Sequence, residues 1–140
     1  MLSAFLDHAE PVLSVAWDPD GKRIYSAGHD KKVRIWNVLD PGKPAEISGF
    51  EADPFKLEVG FDNLFSACAD GIVREHSLKS HELERAYPRT PDWIFCIAVD
   101  HKRRRIAAGS HDGSIRVFGV DDGTLMRAFV AAPGYIPVAK

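Results

Sequence analysis

An all-β chain built from three repeats is the fold this sequence predicts, on three observations. The segment GHDKKVRIWNV, residues 28–38, returns as SHDGSIRVFGV at 110–120 and, more loosely, as CADGIVREHSL at 68–78. Asp30 aligns with Asp112 without a gap from Val12/Ile94 to Val38/Val120, and with Asp70 in a copy whose first hairpin is shorter, a period of about 41. Each copy consists of short β-branched and aromatic runs divided by turn residues, and no stretch carries a helical period. Repeats of roughly 40–45 residues with four strands each are the blades of a β-propeller.

The elements of the first copy can be read in order. VLSVAW (12–17) is strand-like, DPDGK is turn chemistry, IYSA (24–27) is a second strand and GHDK a second tight turn. VRIWN (33–37) is the third strand, and the Pro/Gly break DPGKP leads to a fourth, AEIS. The third strands of the other copies are expected near 73–77 and 115–119. In the middle copy EVGFDNLFSAC stands against SVAWDPDGKRIYSAG, so about three turn residues are gone. Arg34, Arg74 and Arg116 recur at one position of the third strand between apolar neighbours. Alternation reads them as outward, solvated guanidinium groups on buried stems rather than an anion-binding stripe.

Composition excludes several functions. The 140 residues carry a net charge of −2 and a hydrophobic fraction of 45%, with 27% charged. That balance is globular and has no overall attraction to nucleic acid or anionic lipid. Cys68 and Cys96 have neither metal-ligand spacing nor the look of a disulfide framework, and read as free thiols. No apolar run approaches the ~18 residues of a membrane span, and MLSAFLDHAE lacks the pattern of a signal peptide. A soluble, cytoplasmic protein without cofactor or metal is expected. The basic run HKRRR, residues 101–105, falls in a hairpin turn whose counterpart is PDGKR, and reads as a solvated turn.

PVLSVAWDPDGKRIYSAGHDKKVRIWNV resembles a WD repeat of the β-propeller class. His8 stands in the loop leading into the first strand, Ser26 in the second strand, Asp30 in the tight turn and Trp36 in the third strand. The resemblance implies three four-stranded antiparallel blades, an incomplete propeller, with repeats at about 7–49, 50–88 and 89–129. Residues 1–6 would be the outer strand of a preceding blade and 130–140 a C-terminal tail. It also implies that His8, Ser26, Asp30 and Trp36, with Asp70 and Asp112, form structural networks rather than a hydrolytic triad. The middle copy offers Phe50 or Glu51 for the His and His76 for the Trp; the third offers Thr90, Ala108 and Phe118 for His, Ser and Trp. Only the first blade is then expected to hold the full set.

Three blades fall short of the four to eight with which propellers close. The chain therefore reads as the C-terminal part of a longer propeller, with self-assembly of two chains into six blades as the alternative source of the remaining blades. The expected function is a non-catalytic scaffold for protein partners, with no nucleic acid or membrane role; the alternative is a propeller that helps to form the active site of a larger enzyme. The expected partner-binding residues are Glu10, Asp53, Asp92 and Trp93 before the first strands, with His29 and His111 before the turn aspartates. Together they would make an acidic, histidine-bearing, aromatic-edged mouth suited to a basic peptide.

Overall fold

The computed structural model describes residues 7–40, 42–134 and 136. Twelve strands form three four-stranded antiparallel sheets, each in simple sequence order. Blade 1 contains β1 (Val12–Trp17), β2 (Arg23–Gly28), β3 (Val33–Asn37) and β4 (Ala45–Ile47). Blade 2 contains β5 (Pro54–Gly60), β6 (Asn63–Cys68), β7 (Val73–Ser77) and β8 (Leu83–Ala86). Blade 3 contains β9 (Ile94–Asp100), β10 (Arg105–Ser110), β11 (Ser114–Gly119) and β12 (Leu125–Val130). There is no helix among the described residues. The third strands lie where the repeat places them. The outer strand expected at 1–6 lies outside the described residues, and β12 runs one residue past the boundary expected for the tail.

Each tight turn between second and third strands closes with an amide-to-carbonyl bond, Lys31 to Gly28, Gly71 to Cys68 and Gly113 to Ser110. The donor residue is left-handed in every blade, with φ of 59°, 78° and 80°. Glycine suits this conformation, and blade 1 places a lysine there against the steric preference of its Cβ. At Gly71 a side chain is also excluded by packing, since a Cβ would lie 2.5 Å from the Thr90 carbonyl oxygen.

The blades stack face to face through two apolar layers. Tyr25, Ala27, Val33 and Ile35 of blade 1 meet Leu57, Leu64, Cys68 and Leu78 of blade 2. Phe65, Ala67 and Val73 of blade 2 meet Ile94, Ile97, Ile106, Ala108, Phe118 and Val120 of blade 3. One face of a blade therefore always packs on the opposite face of the next.

The innermost strands share an irregularity. Pairing slips by one residue between Val12 and Ser14, between Pro54 and Lys56, and between Ile94 and Cys96. Leu13, Phe55 and Phe95 are the extra residues of three equivalent β-bulges, which re-aim the side chains they carry. The arginine stripe departs from expectation. Arg34 and Arg74 are buried, 5% and 8% exposed, not solvated. Each turns back to the carboxylate of its own tight turn four residues earlier.

Candidate functional site

Two constellations lie at the ends of the strands. The first is the turn network of blade 1, most of it part-buried. His8 Nδ1 lies 3.1 Å from Asp30 Oδ2, and His8 Nε2 lies 2.7 Å from Ser26 Oγ. The Trp36 indole N–H donates to the same Ser26 oxygen at 2.8 Å. With Nδ1–H given to Asp30, Nε2 accepts from Ser26, and the Arg34 Nη1 that lies 2.8 Å from His8 Nδ1 directs its donation to Asp30. Arg34 Nη1 donates to Asp30 at 2.6 Å and Arg34 Nε to Asp7 at 2.7 Å. Burial would raise the Asp30 carboxyl, but the hydrogen bonds and charges of Arg34 and His8 outweigh it and hold it below the usual carboxylate range. A Ser–His–Asp triad needs its carboxylate to stabilise an imidazolium. Here that carboxylate is committed to a guanidinium and the serine oxygen to an indole.

The other blades keep the carboxylate and change its partners. In blade 2, Arg74 holds Asp70 with two bonds of 3.0 and 2.6 Å, and the Ile72 amide donates to the same carboxylate. Burial again acts upward on Asp70 and is outweighed by Arg74. Phe50 takes the place of the missing histidine, its ring centroid 5.4 Å from that of His76 and 5.9 Å from the Arg74 guanidinium carbon. Burial, and after it the charge of Arg74, pushes the His76 imidazole down to about 4. In blade 3 the Ser114 amide donates to Asp112 at 2.9 Å, and Arg116 stands back at 3.6 Å. Thr90 serves the loop instead of the turn, its hydroxyl donating to the Asp92 carbonyl at 2.7 Å.

The second constellation is a rim. In each blade the residue before the turn aspartate donates its amide to the loop leading into the innermost strand: His29 to Pro11, Ala69 to Asp53 and His111 to Trp93. These three bonds, of 3.0, 2.9 and 2.8 Å, bring turn and loop together at one end of every sheet. The His29 ring then reaches Asp53 of the next blade at 2.6 Å, and the His111 ring lies 3.1 Å from Asp92. Trp93 is part of an aromatic group with two bulge residues. Its ring centroid is 5.8 Å from Phe55 and 6.0 Å from Phe95, and those two are 5.2 Å apart. His111 closes the group at 6.0 Å from Trp93 and 5.7 Å from Phe95.

Of the expected partner-binding residues, Asp53 with His29, and Asp92, Trp93 and His111, stand at this end of the sheets. Glu10 precedes Pro11, whose carbonyl accepts the His29 amide, and it also lines a hollow of about 310 Å³ on blade 1 with Asp7, His8, Val12, Val15 and Trp36. Phe55 and Phe95 were not expected; simple alternation gives them no special place. Their signal is the spacing of the apolar positions, 12, 15, 17 in β1, 54, 57, 59 in β5 and 94, 97, 99 in β9, which skips a step where a regular strand would not. In the basic run, Arg104 donates to Asp121 and Arg105 to Asp100, each at 2.7 Å, and Arg104 lies over the Phe61 ring. Its three arginines are paired, Arg103 with Asp100 at 3.6 Å.

Among the described residues, no group of three or more His, Cys, Asp or Glu side chains is arranged to hold a metal ion.

Comparison with known proteins agrees with this geometry. The family described as "WD domain, G-beta repeat" matches residues 1–37 and 76–119. WD repeat and HMG-box DNA-binding protein 1 of Xenopus laevis is 30% identical over 118 residues, 84% of this chain and 10% of that protein. COMPASS component SWD3 of Saccharomyces cerevisiae is 21% identical, over 95% of this chain and 46% of its own length. The chain thus spans from about a tenth to about half of these relatives. The solved structure of U3-55K superposes with a TM-score of 0.83 at 17% identity, covering 89% of this chain and 41% of that one, a likeness of fold. On its repeats, its three sheets and the matched family, the chain belongs to the WD-repeat (WD40) family.

Proposed function

We propose that the chain is a non-catalytic protein-interaction scaffold whose partner docks on the rim through a basic segment. The observation that carries this reading is the aromatic group of Phe55, Trp93 and Phe95, flanked by Asp53 and Asp92. Phe95 is 42% exposed, at a bulge that turns it away from the blade–blade layers. Rigid aromatic side chains beside carboxylates suit an arginine or lysine, whose stem packs on the rings while its charge meets the acids. A cation over an aromatic ring contributes about 0.5–1 kcal/mol at an exposed site and more when water is excluded. The role of SWD3 as a component of COMPASS, by its name, supports a scaffold reading.

An array of short Lys- and Arg-containing peptides, read by Trp fluorescence and calorimetry, tests it. Binding should weaken as salt rises and fall about tenfold with Trp93→Ala or Asp92→Asn. If neither substitution changes affinity while alanines at Arg103–Arg105 abolish it, the contact lies on the hairpin end and the rim reading fails.

A further inference from the structure

The two joints between blades are held by different chemistry, and we infer that the joint between blades 1 and 2 is a pH-responsive hinge. Its end away from the rim is released when His81 takes a proton, while the joint between blades 2 and 3 stays shut. At the rim the first joint is crossed by the His29 ring, 2.6 Å from Asp53. Along the innermost strands Ser14 Oγ accepts the Leu57 amide at 3.0 Å. At the opposite end the turn between β7 and β8 brings His81 against blade 1, its ring centroid 6.3 Å from that of Tyr25, edge to face. The same end of the second joint carries arginines. Arg85 of blade 2 donates to the Asp121 carbonyl at 3.4 Å, and Arg104 of blade 3 lies 4.6 Å over the Phe61 ring of blade 2. A guanidinium keeps its charge at any pH that leaves the fold intact. His101 also stands there, 5.3 Å from Phe61, but it is exposed, and its charged form stays in water.

His81 is placed for a neutral ring. Its backbone is left-handed, with φ of 62°, a conformation that a residue with a Cβ keeps only where its surroundings impose it. Its Nε2 is buried and has no hydrogen-bond partner among the described residues. The charged groups that act on it from blade 1 are Arg23 and Asp18. Asp18 is already engaged, by Arg23 at 2.6 Å, the Tyr25 hydroxyl at 2.9 Å and the Asp20 amide at 3.2 Å. A proton arriving on Nε2 therefore meets no acceptor and is opposed by the Arg23 charge. Burial, and after it that charge, hold the imidazole below the usual histidine range; the Leu78 carbonyl of its own turn and Asp18 act weakly the other way.

The sign follows. The closed joint refuses a proton that the opened joint accepts, so closure is complete above about pH 6.5 and declines as pH falls towards the lower folded value. The rim end does not let go with it, because His29 can donate Nδ1–H to Asp53 as a neutral ring or as an imidazolium. One end held and the other released is a hinge.

Cys68 reports on the first joint, since it is fully buried in the layer between blades 1 and 2. Ala108→Cys places a second thiol in the layer between blades 2 and 3, and Cys96, which is exposed, serves as the reagent control. Pulses of dithiodipyridine, located by peptide mass and scaled to the urea-unfolded chain at the same pH, read each joint separately. From about pH 7 to about pH 5, Cys68 labelling should rise about fivefold or more while the thiol at position 108 stays protected. His81→Asn, which removes the proton site and tolerates the left-handed backbone, should abolish the rise. In the chain without substitutions, the His81 ring signal in NMR should titrate over the same pH range as Cys68 labelling. A rise that survives His81→Asn, an equal rise at both joints, or a His81 ring that titrates while Cys68 stays protected would each overturn the hinge.

Discussion

Blades 1 and 3 align residue for residue from Val12/Ile94 to Val38/Val120, yet they hold their turns differently. Blade 1 ties Asp30 to His8 and Arg34, and through His8 to Ser26 and Trp36, by buried and part-buried hydrogen bonds. Blade 3 has Ala108 and Phe118 at the Ser and Trp positions, both buried in the layer against blade 2, and Asp112 relies on Ser114 with Arg116 at 3.6 Å. The turn carboxylate is constant and its partners are exchangeable. The serine and the indole have been replaced together in blade 3. The reason is that a buried N–H or hydroxyl left behind without its partner costs more than losing both. Blade 2 shows a third solution, in which one arginine replaces most of the network by gripping the carboxylate with two nitrogens.

The largest effect should come from breaking that grip. Asp70→Ala leaves Arg74 buried without its counter-charge and should cost about 3–5 kcal/mol. Asp30→Ala should cost roughly 1–3 kcal/mol, because Arg34 keeps Asp7. Asp112→Ala should cost under about 1 kcal/mol, the pair there being longer and more exposed. Urea melts of the three variants check the order, and equal losses would mean that the three turns are not held differently.

A smaller effect separates blade 2 from the other two through pH. The His76 imidazole is depressed to about 4 by burial and the nearby Arg74 charge, against about 6.5 in an unfolded chain. The unfolded chain therefore binds a proton that the folded chain refuses, and stability is complete above pH 6.5 and declines as pH falls towards 4. His76→Phe should remove on the order of 2 kcal/mol of that decline. The turn aspartates act lower. Their depressed carboxyls contribute stability above the usual carboxylate range that is lost as pH falls through their folded values. Urea midpoints measured from about pH 7 to about pH 4 distinguish the two, since a curve unchanged by His76→Phe would remove the histidine from the account.

The smallest effect turns blade 1 into blade 3. Ser26→Ala removes the oxygen shared by the Trp36 indole and His8 Nε2 and should cost about 1–2 kcal/mol. Adding Trp36→Phe should recover part of that loss. A double-mutant cycle measures the coupling, and strict additivity would show that the two side chains are not a unit.

Part of the candidate site is legible in the sequence. His29, Asp53, Asp92, Trp93 and His111 stand in loops and turns that the repeat marks, so their common end of the sheets follows from the hairpin order. Phe55 and Phe95 are hidden there, because regular alternation assigns every apolar strand residue to one face or the other. A bulge adds a residue that belongs to neither, and the sequence marks it only by the skipped step in the apolar spacing 54, 57, 59 and 94, 97, 99, whose meaning the pairing supplies. The arginines mislead for a related reason. Arg34 and Arg74 sit between apolar neighbours as solvated residues do, but their length lets the guanidinium fold back along the hairpin to an aspartate four residues away.

By itself, the sequence determined the all-β class, the three blades, the strand positions and the turn aspartates. All of these are written in short-range periodicity and in residue types that bias the local backbone. Only the tertiary structure decided which carboxylate each arginine holds, where the bulges aim their aromatic side chains, and which residues of neighbouring blades meet. Those depend on distances between residues far apart in the chain, such as Val59 packed against the layer that contains Tyr25, and a one-dimensional pattern carries no record of such distances.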